Sequence, residues 1–269
     1  MGDHQERECP KCRSLTCAGN YDETKCRELP GNSTVYPPRC HRFKARKVLI
    51  YGDRNPTCRD CHVDRNKHYS TKLDHERTGD WFMSLNGHKM WPLDPDPLHV
   101  ELEEIAHALS LINRFGGHMP RGPYSVAQHS VIVAKLVAAR EPRLGLLALM
   151  HDAPEYVLGD VIRPLKRSAV VTAGYGVLEK RWGEAIGDAL GFEWPDPLPE
   201  IIKKADDAAL MAERRELLSA SSHGWREREN DFHVQTGIVP LRWELAKREF
   251  IDAFFFFKEM AECATKSSS

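Results

Sequence analysis

The stretch LLALMHDAPEYVLGD, Leu146 to Asp160, starts as an apolar helix and then presents His151, Asp152, Glu155 and Asp160 within ten residues. Burying even one uncompensated charge is expensive, so such groups persist beside a core only where something pairs with them, and a metal ion is one such partner. Two further segments supply matching side chains. YSVAQHSVIVAKLVAA puts His129 on the same helical face as Val126, Val133 and Leu136, and IIKKADDAALMA puts Asp206 between Ile202 and Ala209. A lone inward histidine is ordinarily a satisfied core residue, and a His-Asp dipeptide is common by chance. The combination of His129, His151-Asp152 and Asp206, each beside an apolar stripe, is what points to chemistry. Two imidazole nitrogens and two carboxylates suit Mn, Co, Fe or Zn better than Ca. A divalent ion held there with open positions can lower the pKa of its bound water to about 7 and polarise a phosphoryl oxygen, which is hydrolase chemistry on phosphate esters.

These side chains need a helical frame. Apolar periodicity predicts helices near 101–113, 124–140, 143–158, 175–190, 198–219 and 242–263, with no repeats. Upstream, WFMSLNGHKMW places two short alternating stretches around Asn86-Gly87, a strong hairpin signal. Residues 80–265 therefore read as a mainly α domain opened by a small β-ribbon. Glu155 lies four residues after His151 and three after Asp152, so one continuous helix would put all three on one side. Gly159 reads as a C-terminal helix cap. At the adjacent Asp206-Asp207 pair, helical spacing selects Asp206 for the inward face and leaves Asp207 for solvent. The late DAFFFFKEM cannot place four successive aromatics on one face, and reads as core packing or an oligomer contact.

The first part of the chain differs in character. Residues 1–72 carry 15 basic and 9 acidic side chains, whereas the whole chain has 38 and 39. Seven of the eight cysteines precede residue 62. In a reducing compartment that density favours metal over disulfides. CPKC at Cys9 and Cys12 and CRDC at Cys58 and Cys61 form two knuckles able to give tetrahedral zinc four thiolates, with Cys17, Cys26, Cys40 and His41 as further candidate ligands. Residues 1–75 are thus expected to form a small Cys-rich, zinc-ribbon-like domain. RCHRFKARK adds five cations in nine residues, compatible with nucleic-acid phosphate contact and equally with a solvated face. No apolar run approaches the roughly 18 residues of a membrane span. The opening MGDHQERECP lacks a signal-peptide core, so a cytoplasmic protein without membrane contact is expected.

Three longer segments, RFGGHMPRGPYSVAQHS, HDAPEYVLGDVIRPLK and KKADDAALMAERRELL, resemble the HD-domain phosphohydrolases, whose signature is this H…HD…D order on a helical bundle. They look most like the branch of bacterial 5′-deoxynucleotidases and related viral deoxynucleoside triphosphate hydrolases, over roughly residues 80 to 260. The resemblance implies His129, His151, Asp152 and Asp206 as ligands of a catalytic Mn, Co, Zn or Fe. It implies Glu155 as the catalytic glutamate and Asp160 in proton handling or substrate placement. Arg114 and Lys166 match the phosphate-binding cations. His118, Arg121 and Arg163 are further candidates on which an ordinary exposed cation is an equal reading. Phe115 stands where the family commonly carries tryptophan, so an aromatic is kept but its N–H donor is lost.

Two function classes follow. One is a metal-dependent phosphohydrolase of nucleotides, the small-molecule substrate being held in the helical domain and the protein assembling as a homo-oligomer. The other is a nucleic-acid-binding zinc protein whose helical domain binds a nucleotide without turnover. Every expected ligand and acid/base position is filled, which favours the enzyme.

Overall fold

A computed structural model describes the backbone of residues 6–8 and 15–17, together with residues 72, 74–221, 223, 225, 230–234 and 236–266. The chain divides into two compact units, Met1–Arg77 and Thr78–Ser269. In the first, β1 (Glu6–Glu8) and β2 (Leu15–Cys17) pair antiparallel, with Glu6 opposite Cys17 and Glu8 opposite Leu15. The expected zinc ligands Cys9, Cys12, Cys58 and Cys61, and the further candidates Cys26, Cys40 and His41, lie outside the described residues.

The described part of the second unit is mainly helical. It opens on the hairpin foreseen around Asn86-Gly87: β3 (Phe82–Met83) pairs with β4 (Lys89–Met90), and Gly87 takes a φ of 81° in the turn. Glu104 secures this turn to the bundle, one carboxylate oxygen accepting from the Ser84 hydroxyl at 2.6 Å and the Asn86 amide at 2.7 Å. The helices are α1 (Leu102–Leu111), α2 (Val126–Ala138), α3 (Gly145–Met150), α4 (Glu155–Leu158), α5 (Arg163–Lys166), α6 (Ala169–Leu190), α7 (Glu200–Leu217) and α8 (Trp243–Lys266). None is long and apolar enough to cross a membrane.

Helix α2 is the centre, with α1, α3, α7 and α8 all packed on it. Val126, Ala127, His129, Ser130, Val133, Ala134 and Val137 are completely buried, so both faces of this helix are lined by others. Ser125 caps it by accepting from the Gln128 amide at 3.2 Å. The Gln128 side chain does not reach back to close a capping box. It instead donates to the Val239 carbonyl at 2.8 Å and accepts from the Leu241 amide at 2.9 Å, fastening the segment before α8. In the phenylalanine run, Phe254 and Phe257 enter the core while Phe256 is 58% exposed, the split that a helix imposes on consecutive residues.

The helix expected over 143–158 is interrupted. Pro154 has no N–H to donate to Met150, and the chain closes shorter bonds instead, Ala153 N to Met150 O at 2.8 Å and Glu155 N to Asp152 O at 3.0 Å. His151 and Asp152 therefore stand on a turn between α3 and α4, not on a helix face shared with Glu155. Gly159 ends α4 as foreseen, with a φ of 75° and its amide on the Glu155 carbonyl at 2.8 Å.

Helix α6 begins at Ala169, six residues before the expected 175. Its four glycines are of two kinds. A Cβ on Gly183 would overlap the Trp194 ring, and one on Gly187 would come within 2.6 Å of the Phe192 carbonyl, whereas Gly174 and Gly176 face open space. Gly183→Val is expected to destabilise the unit by roughly 1–3 kcal/mol through overpacking, read as a lower melting temperature. An unchanged melting temperature would show that Trp194 yields freely.

Candidate metal centre

His129 comes from the middle of α2, His151 and Asp152 from the Pro154-broken turn, and Asp206 from the second turn of α7. One ligand atom each of His129, His151 and Asp152 lies within 4.8 Å of the other two, a spacing that can hold one metal ion. Asp152 Oδ2 is 3.1 Å from His151 Nε2 and 3.7 Å from His129 Nε2. Asp206 borders this triad: its Oδ1 is 3.2 Å from His129 Nε2, while its Oδ2 accepts from Arg163 at 2.7 Å. The interrupted helix thus still delivers the expected His-Asp pair, and the turn conformation is what lets both side chains face His129.

The donor set fits a divalent cation on a direct observation. His129 Nε2 and His151 Nε2 are both buried without a hydrogen-bond partner among the described residues. Each faces a carboxylate oxygen at ion-pair distance, Asp206 Oδ1 at 3.2 Å and Asp152 Oδ2 at 3.1 Å, without the geometry of a hydrogen bond, which is how donors around one ion are arranged. Each ring is held from behind. His151 Nδ1 meets the Ala148 carbonyl at 2.8 Å, and His129 Nδ1 meets Glu213 Oε1 at 2.6 Å. With both Nδ1 atoms engaged, both Nε2 atoms point toward the same acidic cluster.

Burial and the Arg114 guanidinium depress the His129 pKa, but Glu213 and Asp206 outweigh them and bring it to about 9. Burial raises the Asp152 carboxyl, yet His151, His129 and Lys166 hold it well below the ordinary range. Asp206 is likewise held low despite burial, chiefly by its contact with His129. Glu155 goes the other way: burial, Asp152 and Asp160 push its carboxyl well above the ordinary range, against Lys166 and Arg114. Asp160 is also raised, by burial and Asp152. Two carboxyls held low therefore sit beside one pushed up, the kind of contrast that lets neighbouring carboxyls take different roles.

The surrounding cations are engaged with these acids. Lys166 Nζ is 3.6 Å from Glu155 Oε1 and 2.5 Å from Glu179 Oε1. Arg163 contacts both Asp206 and Asp207, so Asp207 is not turned to solvent: its side chain is only 15% exposed because α5 places a guanidinium across it. Arg114 is 7% exposed, with its Nε donating to Glu213 at 3.1 Å and Nη1 lying 3.5 Å from Asp152. It is therefore part of the interior, with one edge toward the triad. Removing one partner of such a buried pair costs roughly 3–5 kcal/mol. Arg114→Ala is thus expected to lower both thermal stability and kcat/KM, while Arg114→Lys keeps more stability. A kinetic defect with unchanged melting in Arg114→Ala would contradict the buried geometry.

Phe115 and Gly116 both adopt left-handed backbone, φ 57° and 59°, which is unusual for a bulky residue. The Phe115 ring lies 5.7 Å from the Arg114 guanidinium carbon and 6.3 Å from the Trp225 ring. His118 and Arg121 are exposed at the far end of the same loop. Glu213, Tyr124, Glu179 and Tyr175 belong to the site's surroundings without having been expected there. For Glu213 a signal existed: it lies seven residues after Asp206, two helical turns further along the same face.

An uncharacterized protein of Rhodobacter capsulatus is 41% identical over 156 residues, covering 56% of this chain and 77% of its own length. The uncharacterized protein YfdR of Escherichia coli is 32% identical over 166 residues, covering 61% of this chain and 88% of its own. The chain belongs to the family of these two proteins. No family model matches it. Kinship with YfdR and its Rhodobacter relative extends over little more than half of this chain, and their names assign no activity to the family.

Proposed function

We propose that residues 80–265 form an HD-type helical domain that hydrolyses nucleotides, deoxynucleotides first among them, at a single divalent metal. The observation that carries this reading is the pair of buried Nε2 atoms of His129 and His151, neither making a hydrogen bond among the described residues, converging on Asp152. His129, His151 and Asp152 would hold the ion, with Asp206 Oδ1 adjoining. When bound, a Mn, Co, Zn or Fe ion supplies a Lewis acid for a phosphoryl oxygen and acidifies a coordinated water. Arg114 and Lys166 bring positive charge to two sides of the cluster and would steady the phosphate oxygens. Glu155, whose carboxyl is pushed well above the ordinary range, would carry a proton on Oε2, because Oε1 faces Lys166 and Oε2 has no hydrogen-bond partner among the described residues. Glu155 would give this proton to the departing ester oxygen, and Asp160, close enough to raise Glu155, would take the proton that the attacking water gives up.

The test is direct. The full chain, stripped of metal and resupplied with Mn²⁺ or Co²⁺, is offered a panel of deoxynucleoside mono- and triphosphates, and the products are identified. Released inorganic phosphate, pyrophosphate or tripolyphosphate names the bond broken, and metal dependence supports the site. No turnover of any member with either metal would overturn the reading. Metal analysis of the same preparations should also find a second, tightly held zinc, attributed here to Cys9, Cys12, Cys58 and Cys61.

A further inference from the structure

Glu213 is completely buried on α7, yet no step of the proposed hydrolysis uses it. Its Oε1 accepts from the Tyr124 hydroxyl at 2.9 Å and lies 2.6 Å from His129 Nδ1, and its Oε2 accepts from Arg114 Nε at 3.1 Å. The three partners stand 84 to 99 residues away in the chain, so one carboxylate joins the loop before α2, α2 itself and α7. Two of those partners, His129 and Arg114, also approach Asp152, at 3.7 and 3.5 Å.

A neutral imidazole has one donor and one acceptor nitrogen, and the hydrogen bond at one decides the role of the other. For His151 the partner is a backbone carbonyl, which can only accept, so Nδ1 donates and Nε2 keeps its lone pair. For His129 the partner is a carboxylate, a stronger acceptor than a carbonyl. Carboxylate partners of ligating histidines orient the ring and raise its basicity.

We propose that Glu213 is the positioning residue of this centre: when a metal ion displaces the proton on Nε2, Glu213 holds the remaining His129 proton on Nδ1, so that Nε2 is the lone-pair donor, and it turns the Arg114 guanidinium toward Asp152. The proposal rests on the reading of His129, His151 and Asp152 as metal ligands. Tyr124 and Arg114 occupy two further lone pairs of Glu213, so the carboxylate cannot rotate away without breaking three contacts at once.

The experiment measures Mn²⁺ binding to the metal-stripped full chain from the electron paramagnetic resonance of the free ion. Mn²⁺ is chosen because this hard cation avoids the thiolates of the Cys-rich segment. Glu213→Gln is compared with Glu103→Gln, which removes a charge from the remote Glu103–Lys247 pair. Loss of a partner behind a metal ligand commonly costs about 10–100-fold in affinity, and that loss is expected for Glu213→Gln with none for Glu103→Gln. Wild-type affinity in Glu213→Gln overturns the role of Glu213 alone, whereas absence of Mn²⁺ binding in the unsubstituted protein overturns the metal-site reading on which it rests. Should Glu213→Gln not fold, ¹⁵N spectra of the zinc-saturated unsubstituted protein decide. A proton on His129 Nδ1 supports the proposal, and a bare Nδ1 refutes it.

Discussion

His151→Ala is expected to abolish divalent-metal uptake at the helical domain and to reduce nucleotide hydrolysis to background while leaving the unit folded. The reason lies in how the site is assembled. His129 is completely enclosed by α2 and its neighbours, so its removal would open a cavity in the core as well as delete a ligand. His151 stands on the turn before Pro154, and its Nδ1 is satisfied by a carbonyl of its own helix. Truncating it removes one of the two buried imidazole nitrogens and takes one partner from Asp152, which keeps His129 and Arg114 at 3.7 and 3.5 Å. With His129 and Asp152 alone, too few donors remain for tight binding. Mn²⁺ stoichiometry, turnover and thermal melting on the same preparation separate the effects. Wild-type Mn²⁺ uptake and wild-type turnover together would remove His151 from the centre. Asp206→Asn serves as the companion variant, because its Oδ1 is 3.2 Å from His129 Nε2 while Arg163 retains Oδ2. An equal loss of uptake marks Asp206 as the fourth ligand, and an unchanged one leaves the triad to act alone.

The parts of this centre that could be read in advance are those carried by local pattern. The faces of α2 and α7 were legible because Val126, Val133, Ile202, Ala205 and Ala209 recur at helical spacing, and each is fully buried or nearly so. Asn86-Gly87 announced the hairpin through turn chemistry alone. Long-range pairing is what stayed hidden. Arg114 reads as a phosphate-binding cation, and nothing in the pattern announces that Glu213, 99 residues on, is brought against it. A charged residue inside a polar-looking segment such as AERREL is naturally assigned to solvent, and only its seven-residue offset from Asp206 betrays it. Asp207 was misassigned for the same reason, since its partner Arg163 belongs to a short helix that no periodicity foretold. The early start of α6 was obscured by β-branched Val170, Val171 and Thr172 and by Gly174 and Gly176, all poor helix formers. Pro154 stood in plain view, and a continuous helix across it was the wrong reading.

Glu155→Gln is expected to keep the metal and lose turnover, on the order of 10²–10⁴-fold, the usual contribution of a positioned general acid or base. Glutamine copies the shape of a protonated glutamic acid, so the variant changes little except the ability to give up a proton. Copying shape matters here because Glu155 is 3% exposed and packed between Lys166 and the metal triad. Burial with Asp152 and Asp160 nearby pushes its carboxyl well above the ordinary range, so glutamine stands for the neutral acid that this environment favours. Lys166 keeps its 2.5 Å partner in Glu179, so the phosphate-facing ammonium is not released by the substitution. Metal content should therefore match the unsubstituted protein, and KM should move little, with the loss concentrated in kcat. Steady-state kinetics on the best deoxynucleotide, with Mn²⁺ stoichiometry measured in parallel, checks both halves. A fall in metal content equal to the fall in rate would make Glu155 a ligand, and unaltered kcat would make it a packing residue whose raised pKa serves no chemistry.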